Sequence, residues 1–502
     1  MLMQVQKLLK KLYVRHSLLA CIFVFSHLPL FHYFVIPNPD FLVCCDVNRY
    51  LFTYAGKIKE GLIPYRDFES EYPPVALLLF VLPILATTEL GIYQYLFAIE
   101  QFIFEIIGLL ITNTILKRMQ MKREEATFVL LGYILLLASV GPILYSRYDM
   151  TVSALILGTF YLYLIGKTKW AWVVLAVSVM TKPYTIVLVP LFFISRLSDT
   201  KKVVSVFLEG FLAFVGPLLL IALPFLLLGL EGFLHSFVYH AERGIQIETL
   251  YSSFIHIFHL LGLISEVTTE FRYGAWELIS PISSFLSNLA FFLTTAGLLG
   301  IYLIFYKVEI GFPNESDSLE IRSLHLYRAS VMALLTFILF YKVFSSQFLI
   351  WVYPLIPLVC RKPELRAKVI NGLLILGGGA TQLIYPLNYV LMNGFWLPVT
   401  IILIIKNGLL LLCLILLWKW DSLKTEKRVF QFSLLGITLL GIYLLELFPS
   451  LYHMQGFPTK FNLLVFLLAM GTFLLWRRHN SESTNAHENE PPIRWFGAHS
   501  SN

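Results

Sequence analysis

Side chains that could carry out acid–base chemistry stand in a polar stretch near the start of the chain, at residues 37–74. Asp46 occupies the start of a segment whose spacing predicts a helix, Val47–Glu60. A carboxylate at the first position of a helix can cap it and is favoured by the helix dipole. The same carboxylate can accept a proton from a hydroxyl group, as a general base does. The residue type alone leaves both roles open.

The segment Val47–Glu60 has the pattern of a helix that lies along a membrane surface. Tyr50 and Tyr54 fall on one side of it, and tyrosines are common at the level of lipid headgroups. Gly61 is expected to end this helix, and Pro64 to begin a turn.

Three basic residues are candidates to hold an anionic group. Lys182 and Lys342 interrupt apolar segments, where a charged residue marks a functional position or extends its charge to the interface. Arg243 stands in a long polar segment, where it is either a ligand of an anion or an ordinary exposed arginine. Arginine can bind phosphate through two hydrogen bonds, whereas lysine acts as a point charge.

The sequence Arg147-Tyr148-Asp149 places opposite charges on either side of one tyrosine. One interpretation is a tight turn in which the two charges form a local ion pair. The other is that Asp149 binds a ligand, or orients Asp46 or a substrate. Both interpretations remain open.

Histidines occur repeatedly in the segment 231–280, and His256 and His259 share one face of a helix by their spacing. No carboxylate or cysteine nearby completes a metal site, so we predict neither a metal nor a cofactor. The five cysteines have no CxxC spacing and form no disulfide framework.

The elements that must position these residues are membrane helices. The chain has 502 residues, of which 58% are hydrophobic and only 14% are charged, and its mean hydropathy is +0.74. Soluble domains carry about 25% charged residues, so a soluble multidomain enzyme is excluded. Many apolar runs approach the roughly 20 residues that span a bilayer, and they are continuous, which argues against a β-barrel. The sequence predicts an all-α polytopic membrane protein with about 12–14 transmembrane helices.

The net charge of +7 does not indicate a nucleic-acid partner, because the basic residues form short clusters between apolar runs. That distribution orients the chain with both termini in the cytoplasm. Leu18–Ile36 is expected to be a retained signal-anchor helix. Residues 1–478 then form one membrane domain, in which 37–74 and 231–280 are extracytoplasmic loops. Residues 479–502 form a cytoplasmic disordered tail.

Two apolar segments do not fit a simple crossing. Val75–Leu90 would invert every later loop if it spanned, so we predict that it re-enters the membrane or lies along its surface. Trp170–Ile194 is predicted to be two half-helices that meet at Lys182-Pro183. Broken helices at membrane depth are tolerated where they are buried in protein or line a cavity.

The order of these motifs resembles the GT-C superfamily of multi-spanning glycosyltransferases, over roughly residues 15–360. Within it, the chain is most similar to bacterial polyprenol-phosphate-mannose-dependent α-mannosyltransferases. The matching motifs are Asp46 soon after the first helix, Gly61-Leu62-Ile63-Pro64-Tyr65, Tyr72-Pro73-Pro74, Arg147-Tyr148-Asp149, Lys182-Pro183-Tyr184, Arg243–Glu248 and Lys342–Pro354. The last third of the chain has no motif of this kind.

The resemblance implies an inverting transfer of a hexose, mannose above all, from a polyprenyl-phosphate sugar to a lipid or glycan acceptor. Asp46 would be the catalytic base, and the site would face the outside of the plasma membrane. The resemblance also gives two sets of binding residues. Those for the donor phosphate are Arg243, Lys342 and Lys182, and those for the rest of the substrates are Arg147, Asp149, Tyr65, Tyr72, Glu248 and Gln347.

Two other classes of membrane protein remain as alternatives. A transporter or flippase would be expected to show an inverted internal repeat and charges along the midplane, and the sequence shows no such repeat. A polysaccharide polymerase or ligase would be expected to concentrate Arg and His in a large late outer loop. The segment 231–280 is long enough for that class but has few arginines. The acceptor and the sugar are not determined by the sequence.

Overall fold

The computed structural model describes residues 17–28, 30, 46–200, 202–311 and 319–419. The chain divides into two units, Met1–Leu417 and Trp418–Asn502. The second unit lies almost wholly outside the described residues. Our predictions of further membrane segments and of a cytoplasmic tail in that unit therefore stay predictions, as does the residue 478 boundary.

The described residues are mostly helical. In chain order the helices are α1 (Ser17–Leu28), α2 (Phe52–Lys59), α3 (Pro74–Ala86), α4 (Leu90–Arg118), α5 (Arg123–Val140), α6 (Asp149–Leu164), α7 (Thr168–Thr181), α8 (Val189–Thr200), α9 (Val203–Gly210), α10 (Gly216–Leu228), α11 (Leu230–Glu242), α12 (Leu250–Leu260), α13 (Ser283–Tyr306), α14 (Leu319–Phe340), α15 (Ile356–Val359), α16 (Leu365–Ile384), α17 (Tyr389–Asn393) and α18 (Leu397–Trp418). Two strands, β1 (Thr268–Arg272) and β2 (Ala275–Ile279), form an antiparallel hairpin between α12 and α13.

Seven of the described helical segments are long and apolar enough to cross a membrane. They are α4, α5 with the turn that follows it, α9 to α10, α13, α14, α16 and α18. The segments α9 to α10 and α13 expose most of their apolar side chains, as helices do when they face lipid, whereas α14 is largely buried. This architecture is that of an all-α polytopic membrane protein. The predicted total of about 12–14 spans stays a prediction.

The two apolar segments that do not fit a simple crossing, Val75–Leu90 and Trp170–Ile194, form a short helix and an interrupted helix. Helix α3 has 13 residues, about 20 Å at 1.5 Å per residue, which is too short to span a bilayer. It packs against α2, α4 and α7. Helix α7 ends at Thr181, Lys182 is extended, and a 3₁₀ turn starts at Pro183. Proline disfavours a helical conformation in the residue before it, so the break follows from the sequence.

The polar stretch after residue 45 folds as a short helix and a tight turn. The chain makes a π-helical turn over Val47–Leu51, continues as α2, and reverses at Gly61, whose φ is +91°. Tyr65 also has a positive φ, of 66°, and packs edge-on against Phe225 and Phe233. This turn fixes the path of the chain from α2 to α3.

Candidate active site

One cavity of about 560 Å³ lies where several helices end. Its walls come from the residues that follow α5, α7, α11, α14 and α16, and from the residues that precede α3 and α6. The hairpin β1–β2 closes one side. Polar and charged groups are mixed with many aromatic rings on these walls. Such a mixture suits a ligand that has both polar and apolar parts.

The carboxylate of Asp46 belongs to this cavity and does not cap its own helix. Its Oδ2 lies 3.2 Å from Nε of Arg147, and its side chain makes no capping hydrogen bond. Its other oxygen, Oδ1, has no hydrogen-bond partner within the described part of the chain. The side chain is 29% exposed. A carboxylate that is held on one side and accessible on the other can accept a proton from a ligand.

Arg147 fixes that arrangement from the turn between α5 and α6. Its Nη1 donates to the carbonyl oxygen of Ser146 at 3.0 Å, and its Nη2 donates to the hydroxyl of Tyr385 at 3.2 Å. The guanidinium group is nearly buried, which limits its freedom to leave Asp46. Arg147 therefore pairs with Asp46 and not with Asp149, contrary to the interpretation of a local ion pair in this turn.

Lys182 reaches the cavity from the break between α7 and α8. Its Nζ lies 2.6 Å from Oδ1 of Asp149, at the start of α6. The indole N–H of Trp351 donates to the same oxygen. The ring of Tyr148 lies below the ammonium group, 4.5 Å from Nζ. Asp149 is fully buried and off the cavity wall, so the structure gives it the role of holding Lys182.

Arg243 is a cation on the cavity wall with a buried N–H group that no described residue satisfies. It stands directly after α11 and lines the cavity. Its Nε is buried and has no hydrogen-bond partner in residues 17–28, 30, 46–200, 202–311 and 319–419. The neighbouring Lys342 lies off the wall, where its Nζ donates to the carbonyl oxygen of Ala241 at 2.7 Å. Only Arg243 and Lys182 among the three predicted phosphate ligands thus face the cavity.

The segment after Arg243 runs as an extended strip between the hairpin and the end of α14. Gln246 N–H donates to the carbonyl oxygen of Lys342, and Ile247 N–H donates to that of Trp276, both at 3.0 Å. Gly244 N–H donates to Glu277 Oε1 at 2.7 Å. These bonds fix the backbone on which Arg243 and Glu248 stand.

Glu248 lines the cavity but is almost completely buried. Its Oε2 accepts from the hydroxyl of Ser346 at 2.6 Å and lies 3.2 Å from Nζ of Lys406, in α18. Asn407 donates to the backbone carbonyl oxygens of Glu248 and Thr249. Helix α18, which carried no motif in the sequence, is therefore tied to the site by a buried ion pair.

The other predicted binding residues divide into two groups. Tyr72 and Gln347 line the cavity. Tyr65 does not, because its ring is buried and its hydroxyl donates to the carbonyl oxygen of Tyr72. Tyr65 supports the wall from behind.

Glu71 and His240 also line the cavity, although the sequence analysis did not predict them as site residues. Glu71 accepts a hydrogen bond from the hydroxyl of Tyr54 at 2.8 Å, and burial raises its pKa. His240 in α11 lies with its Nε2 at 3.2 Å from the carbonyl oxygen of Glu71. Burial, with the charge of Arg243, lowers the pKa of His240 to about 4, so it is neutral at pH 7 and donates this bond. The position of Glu71 directly before the Tyr72-Pro73-Pro74 motif was a signal that could have drawn attention to it.

No protein-family model and no curated protein sequence matches this chain. Among the described residues, no group of three or more His, Cys, Asp or Glu side chains is arranged to hold a metal ion.

Proposed function

We propose that this protein is a membrane glycosyltransferase. It moves a hexose, mannose above all, from a polyprenyl-phosphate donor to a hydroxyl group of a glycolipid or glycan. The observation that carries this proposal is the pairing of opposite chemistries in one cavity. An accessible carboxylate, Asp46, and an unsatisfied cation, Arg243, stand on the walls of the same space. The order of motifs that resembles the GT-C superfamily supports it.

Asp46 is the general base of this reaction. The ion pair with Arg147 holds Oδ2 at 3.2 Å and leaves Oδ1 for the ligand. The acceptor hydroxyl oxygen attacks the anomeric carbon, and its proton passes to Asp46. The bond between that carbon and the phosphate oxygen breaks, and its electron pair leaves with the polyprenyl phosphate. The configuration at the anomeric carbon is inverted.

Arg243 stabilises the negative charge that develops on the leaving phosphate. A buried guanidinium N–H without a partner is costly, and a phosphate oxygen would satisfy it with a charge-assisted hydrogen bond. Lys182 adds a second positive charge on the same cavity, although Asp149 already neutralises part of it. Donors aimed at a developing oxyanion are typically worth about 10²–10³-fold in rate.

The rim of the cavity offers a route for the lipid chain of the donor. Phe237 in α11 lines the cavity and is also 53% exposed to the surroundings of the protein. Leu230, Leu234 and Val238 on the same helix are exposed as well. In a membrane such a surface contacts lipid tails, so an isoprenoid chain can remain in the bilayer while its phosphate reaches Arg243.

Purified protein in lipid nanodiscs tests the proposed reaction. The protein is incubated with labelled polyprenyl-phosphate mannose, glucose or galactose and with total membrane glycolipids, and the labelled products are identified by mass spectrometry. We expect transfer from one of these donors. We expect no transfer when nucleotide sugars replace them. Folded protein that transfers no sugar from any polyprenyl-phosphate donor would overturn the proposal. Movement of an unmodified glycolipid across the bilayer would instead support a flippase.

We further propose that the cavity faces the outside of the plasma membrane, because of the charge distribution between the apolar runs. A cysteine at Glu270, an exposed position of the hairpin, reports the side. We expect a membrane-impermeant maleimide to label it in intact cells, relative to the unmodified protein. Labelling only after the cells are opened would mean that the cavity faces the cytoplasm.

A further inference from the structure

The carboxyl group of Glu71 lies on the cavity wall and has no part in the transfer step proposed above. Its Oε2 accepts a hydrogen bond from the hydroxyl of Tyr54 at 2.8 Å. No other side chain within the described residues donates to this carboxyl group. Its second oxygen, Oε1, is therefore without a side-chain partner while the residue lines the cavity.

Two elements hold Glu71 in this place. Tyr54 comes from α2 and is itself fixed, because its ring stacks on Phe68 with centroids 5.6 Å apart. His240 comes from α11 and contacts the backbone carbonyl oxygen of Glu71 at 3.2 Å. The backbone N–H of Glu71 also acts on its own carboxyl group. A side chain that is held by these groups can present its remaining acceptor positions in a defined direction.

The position of Glu71 relative to the reacting groups is informative. Glu71 lines the same cavity as Asp46 and Arg243, and the charges of both act on its carboxyl group. In an inverting displacement the base and the leaving phosphate lie on opposite sides of the anomeric carbon. A side chain near both groups therefore faces the sugar ring and its hydroxyl groups.

From this geometry we propose that Glu71 recognises the transferred sugar, by a hydrogen bond between its Oε1 and one hydroxyl group of the hexose. The assignment rests on the proposed glycosyl transfer and adds to it the residue that determines specificity. A carboxyl oxygen can accept a hydrogen bond from a hydroxyl group in either charge state. A site built around such a bond discriminates against a sugar that lacks the hydroxyl.

The competing role for Glu71 is that of the base in place of Asp46. Glu71→Gln separates the two roles, because an amide oxygen still accepts a hydrogen bond but does not take up the proton. Loss of a general base lowers the rate by about 10²-fold or more. If Glu71 recognises the sugar, Glu71→Gln retains transfer of the natural hexose to within about tenfold.

The experiment measures kcat/KM in nanodiscs for the hexose donor that the protein uses and for its monodeoxy analogues. We expect the unmodified protein to discriminate against one analogue by roughly ten- to a hundredfold. Glu71→Ala should reduce kcat/KM for the complete sugar by the same factor. The kcat/KM for that analogue should stay unchanged. Glu69→Gln, an exposed residue of the same loop, is the matched control and should behave as the unmodified protein.

The outcomes separate the two proposals. A protein that transfers sugar, but whose Glu71→Ala variant loses the same factor with every donor, contradicts the role of Glu71 alone. A loss of transfer of 10²-fold or more in Glu71→Gln with every donor would mean that Glu71 is the general base. That result also overturns its proposed role in sugar recognition. A folded protein that uses no polyprenyl-phosphate donor removes the proposed function, and this assignment with it.

Discussion

Oδ2 of Asp46 lies 3.2 Å from Nε of Arg147, so the first polar stretch and the turn between α5 and α6 meet in one ion pair. Helices α2, α3, α4 and α5 separate the two residues in the chain, and their packing returns the chain to the same end of the bundle. The structure excludes the capping role for Asp46, because its helix begins without a side-chain cap. Its carboxylate lines the cavity instead.

Asp46→Asn is expected to abolish most of the transfer activity with little loss of stability. The amide retains a similar shape and keeps an oxygen beside Arg147, but it does not take up the hydroxyl proton. Loss of a general base lowers the rate by about 10²-fold or more. The measurement is sugar transfer per folded protein in nanodiscs, with Asp67→Asn, an exposed aspartate of the same loop, as the control. Transfer within a few-fold of the unmodified protein would remove Asp46 from the mechanism.

Arg243 and Lys342 are expected to differ, although the resemblance implies the same role for both. Arg243→Ala should lower transfer by about 10²–10³-fold, because the developing phosphate charge loses its nearest unsatisfied donor. Lys342→Ala should have a much smaller effect, because its ammonium group bonds the carbonyl oxygen of Ala241 and lies off the cavity wall. Steady-state rates of the two variants test this difference. Equal losses would mean that the phosphate is not held by Arg243.

The buried ion pair between Glu248 and Lys406 is expected to be more sensitive to single than to double substitution. Lys406→Met leaves a buried carboxylate without its cation, which typically costs about 3–5 kcal/mol. The double variant Lys406→Met with Glu248→Gln removes the unpaired charge and should recover much of that loss. Thermal unfolding in detergent compares the two variants. A double variant no more stable than the single one would contradict a direct interaction.

Gly232→Ala is expected to destabilise the contact between α11 and the turn after α2. A Cβ atom at Gly232 would overlap the carbonyl oxygen of Tyr65, which belongs to the backbone and has no flexible side chain to yield. Overpacking of this kind typically costs about 1–3 kcal/mol. Gly56→Ala in α2 is the control, since nothing lies within 4 Å of the added atom. There, alanine should be neutral or stabilising by up to about 1 kcal/mol. A thermal shift equal in both variants would refute the close contact.

His240 is expected to make stability depend on pH in the acidic range. Burial, together with Arg243, lowers its pKa in the folded protein from 6.5 to about 4. The unfolded chain therefore binds more protons between these values, and stability is lost as the pH falls from about 6.5 to about 4. The contribution above pH 6.5 is on the order of 3 kcal/mol. Thermal midpoints at pH 5 and pH 7.5 should differ less in His240→Gln than in the unmodified protein. An unchanged difference would show that His240 does not titrate in this way.

Much of the fold follows from local properties of the sequence. Long apolar runs predict helices because backbone groups in lipid must be satisfied within each segment. The helix after Asp46, its end at Gly61 and the break at Lys182-Pro183 follow from backbone preferences of single residues. These features involve neighbours in the chain, so the sequence alone determined them.

The composition of the cavity was decided by the tertiary structure. Packing paired Arg147 with Asp46 and left Lys342 outside the cavity, and it joined Glu248 to Lys406 in a helix without a motif. Each residue along a helix is rotated by about 100° from the one before it, so a small change in helix orientation alters which side chains meet. Sequence spacing fixes which residues share a face of one helix. Contacts among several helices also depend on how those helices are rotated and placed, and that information is not local to any segment of the chain.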